Sequence, residues 1–98
     1  MSADGYVAVL VIDLHFADAS SLKSKRQELS SIKSALHKRM GAAVAEIDHQ
    51  DLWQRSAVAA VTVSSDHVHA EKVLRSVEAE AASLLGGELV DATVEWLA

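Results

Sequence analysis

Cysteine is absent from the 98 residues. That excludes disulfide cross-links, thiolate nucleophiles and cysteine-ligated zinc or iron–sulfur sites, and it fits a reducing compartment. Aromatic side chains are few, only Tyr6, Phe16, Trp53 and Trp96, so the expected core is built from Val, Leu, Ile and Ala. No stretch approaches the ~18–20 apolar residues that span a bilayer. The longest apolar run, Tyr6–Ile12, lacks the basic flank and cleavage-type end of a signal peptide. These absences lead to the expectation of one cytoplasmic domain over residues 1–98, with no membrane partner. Also missing are a nucleotide-binding glycine loop, a hydrolase nucleophile elbow and a kinase lysine context.

What is present is strongly periodic. Tyr6–Phe16 alternates at period two, with Tyr6, Ala8, Leu10, Ile12, Leu14 and Phe16 on an apolar face. Val7, Val9, Val11, Asp13 and His15 form the other face, apolar at first and polar at its end. Ser20 or Ser21 is positioned to cap a helix whose stripe is Leu22, Leu29, Ile32, Leu36 and Met40, stopped by Gly41. Ala42–Asp48 reads as a second strand in which either parity suits the core and Glu46 complicates the even choice. A segment without Gly or Pro, His49–Arg55, excludes a tight primed hairpin before the third strand, Ser56–Ser64. Ser65 or Asp66 caps a second helix with a stripe of Ala70, Val73, Leu74, Val77, Ala81, Leu84 and Leu85, ended by Gly86-Gly87. The last strand, Glu88–Leu97, alternates Val90, Ala92, Val94 and Trp96 with Leu89, Asp91, Thr93 and Glu95. The order β-α-β-β-α-β with right-handed crossovers predicts an α+β, ferredoxin-like split β-α-β fold: a four-stranded antiparallel sheet with two helices on one face.

Charge is unevenly spread over a chain of net charge −5. From Ser20 to Met40 stand six bases against the single acid Glu28; from Asp66 to Glu95 stand seven acids against Lys72 and Arg75. The overall acidity argues against a DNA-coating protein. Lys23, Lys25 and Arg26 lie in the opening turns of the first helix, where the macrodipole already favours anions. With Lys33 they are read as lying away from the apolar stripe, available to a phosphate; the plainer alternative is a solvated helix face.

The densest stretch in functional groups runs from Glu46 to Arg55. Glu46, His49, Gln50 and Asp51 form either an acid–base or ligand cluster or a loop stitched to its own backbone. Their spacing matches no metal or catalytic template, so no catalytic residue, metal or cofactor is assigned. Trp53, Gln54 and Arg55 pair an indole with a guanidinium, which suits stacking on a base or a partner side chain. Alternatively, Trp53 plugs the core and Arg55 pairs with Asp48 or Asp51.

Two motifs carry a resemblance. Ser21-Leu22-Lys23-Ser24-Lys25-Arg26, together with Ala45-Glu46-Ile47 followed by His49-Gln50-Asp51-Leu52-Trp53-Gln54-Arg55, is similar to the paired signatures of the small bacterial YlxP-like family of unknown function. Ser64-Ser65-Asp66 with His69 resembles a third, weaker one. The resemblance implies a ferredoxin-like fold. Because members are often encoded among translation and ribosome-maturation factors, it also implies a role near RNA or a ribosomal particle. The family often has an acid where Ser24 stands, so the reciprocal capping contact is expected to be absent or weaker here.

Three readings follow. The first is a non-enzymatic RNA- or ribosome-associated module using Lys23, Lys25, Arg26, Trp53, Gln54 and Arg55. The second is an adaptor or homodimer built on the open Val7/Val9/Val11 face. The third is a small-molecule site joining Asp13, His15, Glu46 and His49 under a second subunit.

Overall fold

β1 (Tyr6–His15) is the strand against which both halves of the chain are built, and its alternation dictates which side is filled. In the computed structural model, which describes residues 5–98, Ala8, Leu10, Ile12 and Leu14 are buried on one face, with Phe16 just beyond the strand. β3 (Arg55–Ser64) pairs antiparallel along its whole length, Tyr6 opposite Ser64 and His15 opposite Arg55. β4 (Leu89–Trp96) pairs with the other edge of β1, and β2 (Ala43–Asp48) with β3. The resulting order, β2-β3-β1-β4, all antiparallel, is the ferredoxin-like arrangement that the element order predicts.

α1 (Leu22–Met40) begins at Ser21, whose hydroxyl accepts the Ser24 N–H at 3.1 Å. The reciprocal contact expected to be absent or weaker is present. The Ser24 hydroxyl reaches back to accept the Ser21 N–H at 3.3 Å, a job a short hydroxyl can do without an acid. Gly41 closes the helix in the left-handed region, at φ 67°, and donates to the His37 carbonyl. α2 (His67–Leu85) starts at Asp66, whose carboxylate accepts the Val68 and His69 N–H groups. It ends at Gly86 (φ 56°), followed by a short 3-10 turn, Gly86–Glu88. Leu29, Ile32 and Leu36 of α1 and Leu74, Val77 and Ala81 of α2 meet the buried face of β1 and Val58 and Ala60 of β3 in one core. Among the described residues, no helix is long and apolar enough to cross a membrane.

Two details depart from the simple alternation. The β1–β4 register shifts between Asp13 and Leu14, so that Leu14 faces Leu89 and Val90 is looped outward. Leu89 therefore packs on the core and Val90 lies exposed, the reverse of the parity read from the sequence. A second bulge, between Glu46 and Asp48, turns Ile47 outward at the same end of the sheet. The opposite end is closed by aromatic packing: His67 stacks on Trp96 with centroids 3.8 Å apart, and Tyr6 meets both rings edge-on. Two of the four aromatic side chains are thereby used in the fold, and the buried Phe16 is a third.

Where the turn after α2 meets α1, Glu88 lies beside Glu28 in a small concavity also lined by Ile32 and Leu84. Burial, then the Glu28 carboxyl that hydrogen-bonds to it and the charges of Glu28 and Asp18, push the Glu88 carboxyl above the ordinary glutamate range. A carboxyl raised in the folded state favours folding while it holds its proton. That contribution is complete below the ordinary glutamate range and is lost as pH rises through the raised value. Glu88→Gln, which cannot lose a proton, is therefore expected to melt at a higher temperature than wild type at neutral pH. Thermal unfolding followed against pH should show the gap closing as the solution is taken below the glutamate range.

Candidate functional site

The helix stripe has one step of seven residues, from Leu22 to Leu29, where every other step is three or four. Lys25 stands in that gap. It is fully buried, and its Nζ donates to the carbonyls of His49 at 2.5 Å and Leu52 at 2.6 Å. The same nitrogen lies 3.0 Å from Glu46 Oε2. An ammonium has three N–H bonds, and here each has an acceptor. Lys25 is thus not beside Lys23 and Arg26 on the solvent side of α1. It faces inward, because its four-carbon stem fits the apolar stripe while its head finds a complete set of oxygens.

The same contact explains the parity of β2. Val44 packs on the core, so Glu46, two residues on, also points to the helix side. Its carboxylate accepts from Lys25 and, at 2.5 Å, from the Ser56 hydroxyl on β3. A lysine on an apolar helix stripe and a glutamate on the core parity of a strand are each costly alone; together they satisfy one another. Ser56 was not singled out from the sequence. The available signal was its place at the parity of Val58 and Ala60, where a hydroxyl needs a partner.

This pair fastens the segment between β2 and β3. His49 is the one described non-glycine residue with positive φ, 61°, a conformation that costs about 1–2 kcal/mol for an L-residue. It is held from both sides: the Asp48 carboxylate accepts its N–H at 2.7 Å and Lys25 binds its carbonyl. The Leu52 N–H closes a turn onto the His49 carbonyl at 3.1 Å. At the far end, the Gln54 carbonyl accepts from the Phe16 N–H at 2.8 Å, and the Gln54 side chain donates to the Ala17 carbonyl at 3.3 Å. The segment is therefore stitched to α1 and to the β1–α1 connection.

Its outward side is open to solvent. Asp51, Leu52, Trp53, Gln54 and Arg55 line an open concavity of about 520 Å³. Trp53 is 53% exposed and does not plug the core. Among the described residues, Arg55 forms no ion pair with Asp48 or Asp51. Lys23 and Arg26 are exposed and line a second concavity with Gln27, Ser30 and Ser31 on the outer side of α1. Gln50 lies exposed at the tip, and the half-buried His49 ring is 3.8 Å from Asp48. The four groups of the small-molecule reading are divided. Asp13 and His15 pair in register with Ala57 and Arg55 on the open side of the sheet, whereas Glu46 is engaged on the helix side.

Residues 7–94 match the model of a family described as a protein of unknown function, DUF503. Over 79 residues the chain is 37% identical to the uncharacterized protein YlxP of Bacillus subtilis (strain 168), covering 81% of this chain and 86% of that one. The resemblance carried by the Ser21–Arg26 and Ala45–Arg55 motifs is thereby borne out. Among solved structures, the de novo designed protein Foldit4 superposes with a TM-score of 0.58 at 12% identity, over 96% of this chain and 97% of that one. A de novo designed protein with ferredoxin fold, solved in solution, gives 0.47 at 12% identity, over 93% and 81%. The Foldit4 likeness bears on the fold alone.

Removing the ammonium while keeping its stem leaves a part-buried carboxylate without its counter-charge and the Leu52 carbonyl without its side-chain donor. Lys25→Met is expected to lower the unfolding free energy by about 3–5 kcal/mol. Lys25→Met/Glu46→Met, which removes both charges, should be more stable than Lys25→Met alone. Urea denaturation of the two variants and wild type measures that coupling.

Proposed function

We propose, for a chain that belongs to the DUF503 family of proteins of unknown function, that it is a non-enzymatic cytoplasmic module that binds RNA, free or within a ribosomal particle. In this reading Lys23 and Arg26 engage phosphate while Trp53 stacks on an unpaired base with Arg55 beside it. The observation that carries the reading is the exposure of Trp53 and Arg55 on a segment whose backbone Lys25 ties to the first turns of α1. An indole kept in water on a fastened loop is a ready stacking platform, since every base has a face to offer. The helix turns to which the segment is tied contribute exposed positive charge, the first turn of α1 carries no acid, and among the described residues no carboxylate lines the Lys23–Arg26 concavity.

The sheet offers no competing platform. The middle of its open side carries Val9, Val11 and Val61, and the one ring among the described β1 and β3 residues of that side, His15, stands at the loop end, so stacking is concentrated there. A catalytic reading is less well supported. Glu46, the carboxylate at the centre of the dense segment, is already committed to Lys25 and Ser56. Lys25 and Gln54 act here as braces: the one spends all its donors on the protein, and the other donates its amide to Ala17.

Titration of the intrinsic tryptophan fluorescence with a single-stranded RNA oligonucleotide tests the proposal. With Lys23, Arg26 and Arg55 as the phosphate contacts, log K should fall with log salt at a slope of about −2. Trp53→Ala should weaken binding by roughly 10-fold or more, in line with ~1–3 kcal/mol per stacked base. Lys23→Ala/Arg26→Ala should flatten the salt slope. Absence of binding at low salt, or equal binding by wild type and both variants (followed by polarisation of labelled RNA), contradicts it.

A further inference from the structure

The side of the sheet away from the helices is apolar along its middle, where neighbouring side chains already bury Val9 and Ala59, and it opens to solvent at Val61, Val63 and Ala45. Val9 and Val11 of β1 stand opposite Val61 and Ala59 of β3, Ala45 of β2 stands opposite Ala59, and Val63 extends the field to 71% exposure at the end of β3. We infer that this face is the seat of a second copy of the same chain, packed sheet on sheet about a two-fold axis. Two observations select that occupant.

The first is area. With strands about 4.8 Å apart and a rise of about 3.3 Å per residue, the whole side of the sheet, charged margins included, spans roughly 550 Å² of flat area, so two copies in full overlap cover about 1,100 Å². That clears the ~1,000 Å² expected of a specific interface. Short, branched and alanine side chains let two such faces approach to the ~10 Å at which sheets pack.

The second is the border. Glu95 and Asp91 of β4 lie in register with Val9 and Asp13 on one margin, while His15 and Arg55 form a cross-strand pair at the loop end. A partner carrying one sign of charge meets a like charge on one of those margins. A second copy brings both signs, which is the self-complementarity a two-fold contact requires.

Sedimentation equilibrium or light scattering on the full chain gives the test. Wild type should have twice the chain mass. Val61→Lys and Val63→Lys, both substitutions at side chains already exposed in the single chain, should each yield a folded monomer with an unchanged far-ultraviolet spectrum. Val68→Lys, at an exposed valine of α2, should remain dimeric. A monomeric wild type overturns the inference, whatever other protein the face then takes. So does a dimer that persists in whichever of the two sheet variants is folded; Val63→Lys, the more exposed, decides if Val61→Lys is not.

Discussion

The buried ammonium of Lys25 is the interaction on which the loop end of this protein depends. It takes one acceptor from β2 and two from the segment that follows, and it belongs to the first turns of α1. The start of α1 and the end of β2 with the segment after it, more than 20 residues apart in sequence, are thus set at a fixed separation by one atom. A buried ion pair is not in itself a strong source of stability, because desolvation offsets most of the attraction. Its value lies in specificity. A hydrophobic pair of similar volume would fill the same space without telling residues 49 to 54 where to run.

From that constraint the exposed surface follows. A segment with a left-handed histidine and no glycine would ordinarily be free to relax, but its carbonyls are held from beneath and its last residue is paired to Phe16. Both bulges of the sheet occur at this end, where they turn the strands out of regular pairing. The result is an exposed indole and guanidinium on a backbone fastened at both ends, an arrangement that in general lowers the entropy lost on binding. The opposite end of the sheet, sealed by Tyr6, His67 and Trp96, uses its aromatic rings on one another.

Most of the architecture was legible because periodicity is a property of many residues at once. The alternation of β1 and the stripes of both helices survive one or two exceptions, and the caps at Ser21, Gly41, Asp66 and Gly86 mark the element ends. The exceptions were less legible. A binary reading assigns every lysine to solvent, so the seven-residue gap in the stripe does not by itself point to Lys25. Glu46 reads locally as an obstacle to one parity of β2, and only with Lys25 across from it as the partner that fixes that parity. Each anomaly makes sense only when the other is across from it, and pairing at a distance of 21 residues is not written in local pattern. Similarly, the shift that exchanges Val90 for Leu89 depends on the bulge at Asp13, which no alternation rule announces. The exposure of Trp53 was undecidable from sequence, since a small core short of aromatics could equally have absorbed it.

The account therefore turns on whether Lys25 orders the segment that displays Trp53. Backbone ¹⁵N relaxation of wild type and Lys25→Met, recorded where strand resonances show both to be folded, tests this most directly. Order parameters for residues 49 to 54 should approach the ~0.85 of rigid backbone in wild type and fall below ~0.6 in the variant, with β1 and β3 unchanged. Equal values in both proteins would contradict it, and would mean that the loop is ordered by its own turn and by Gln54 alone.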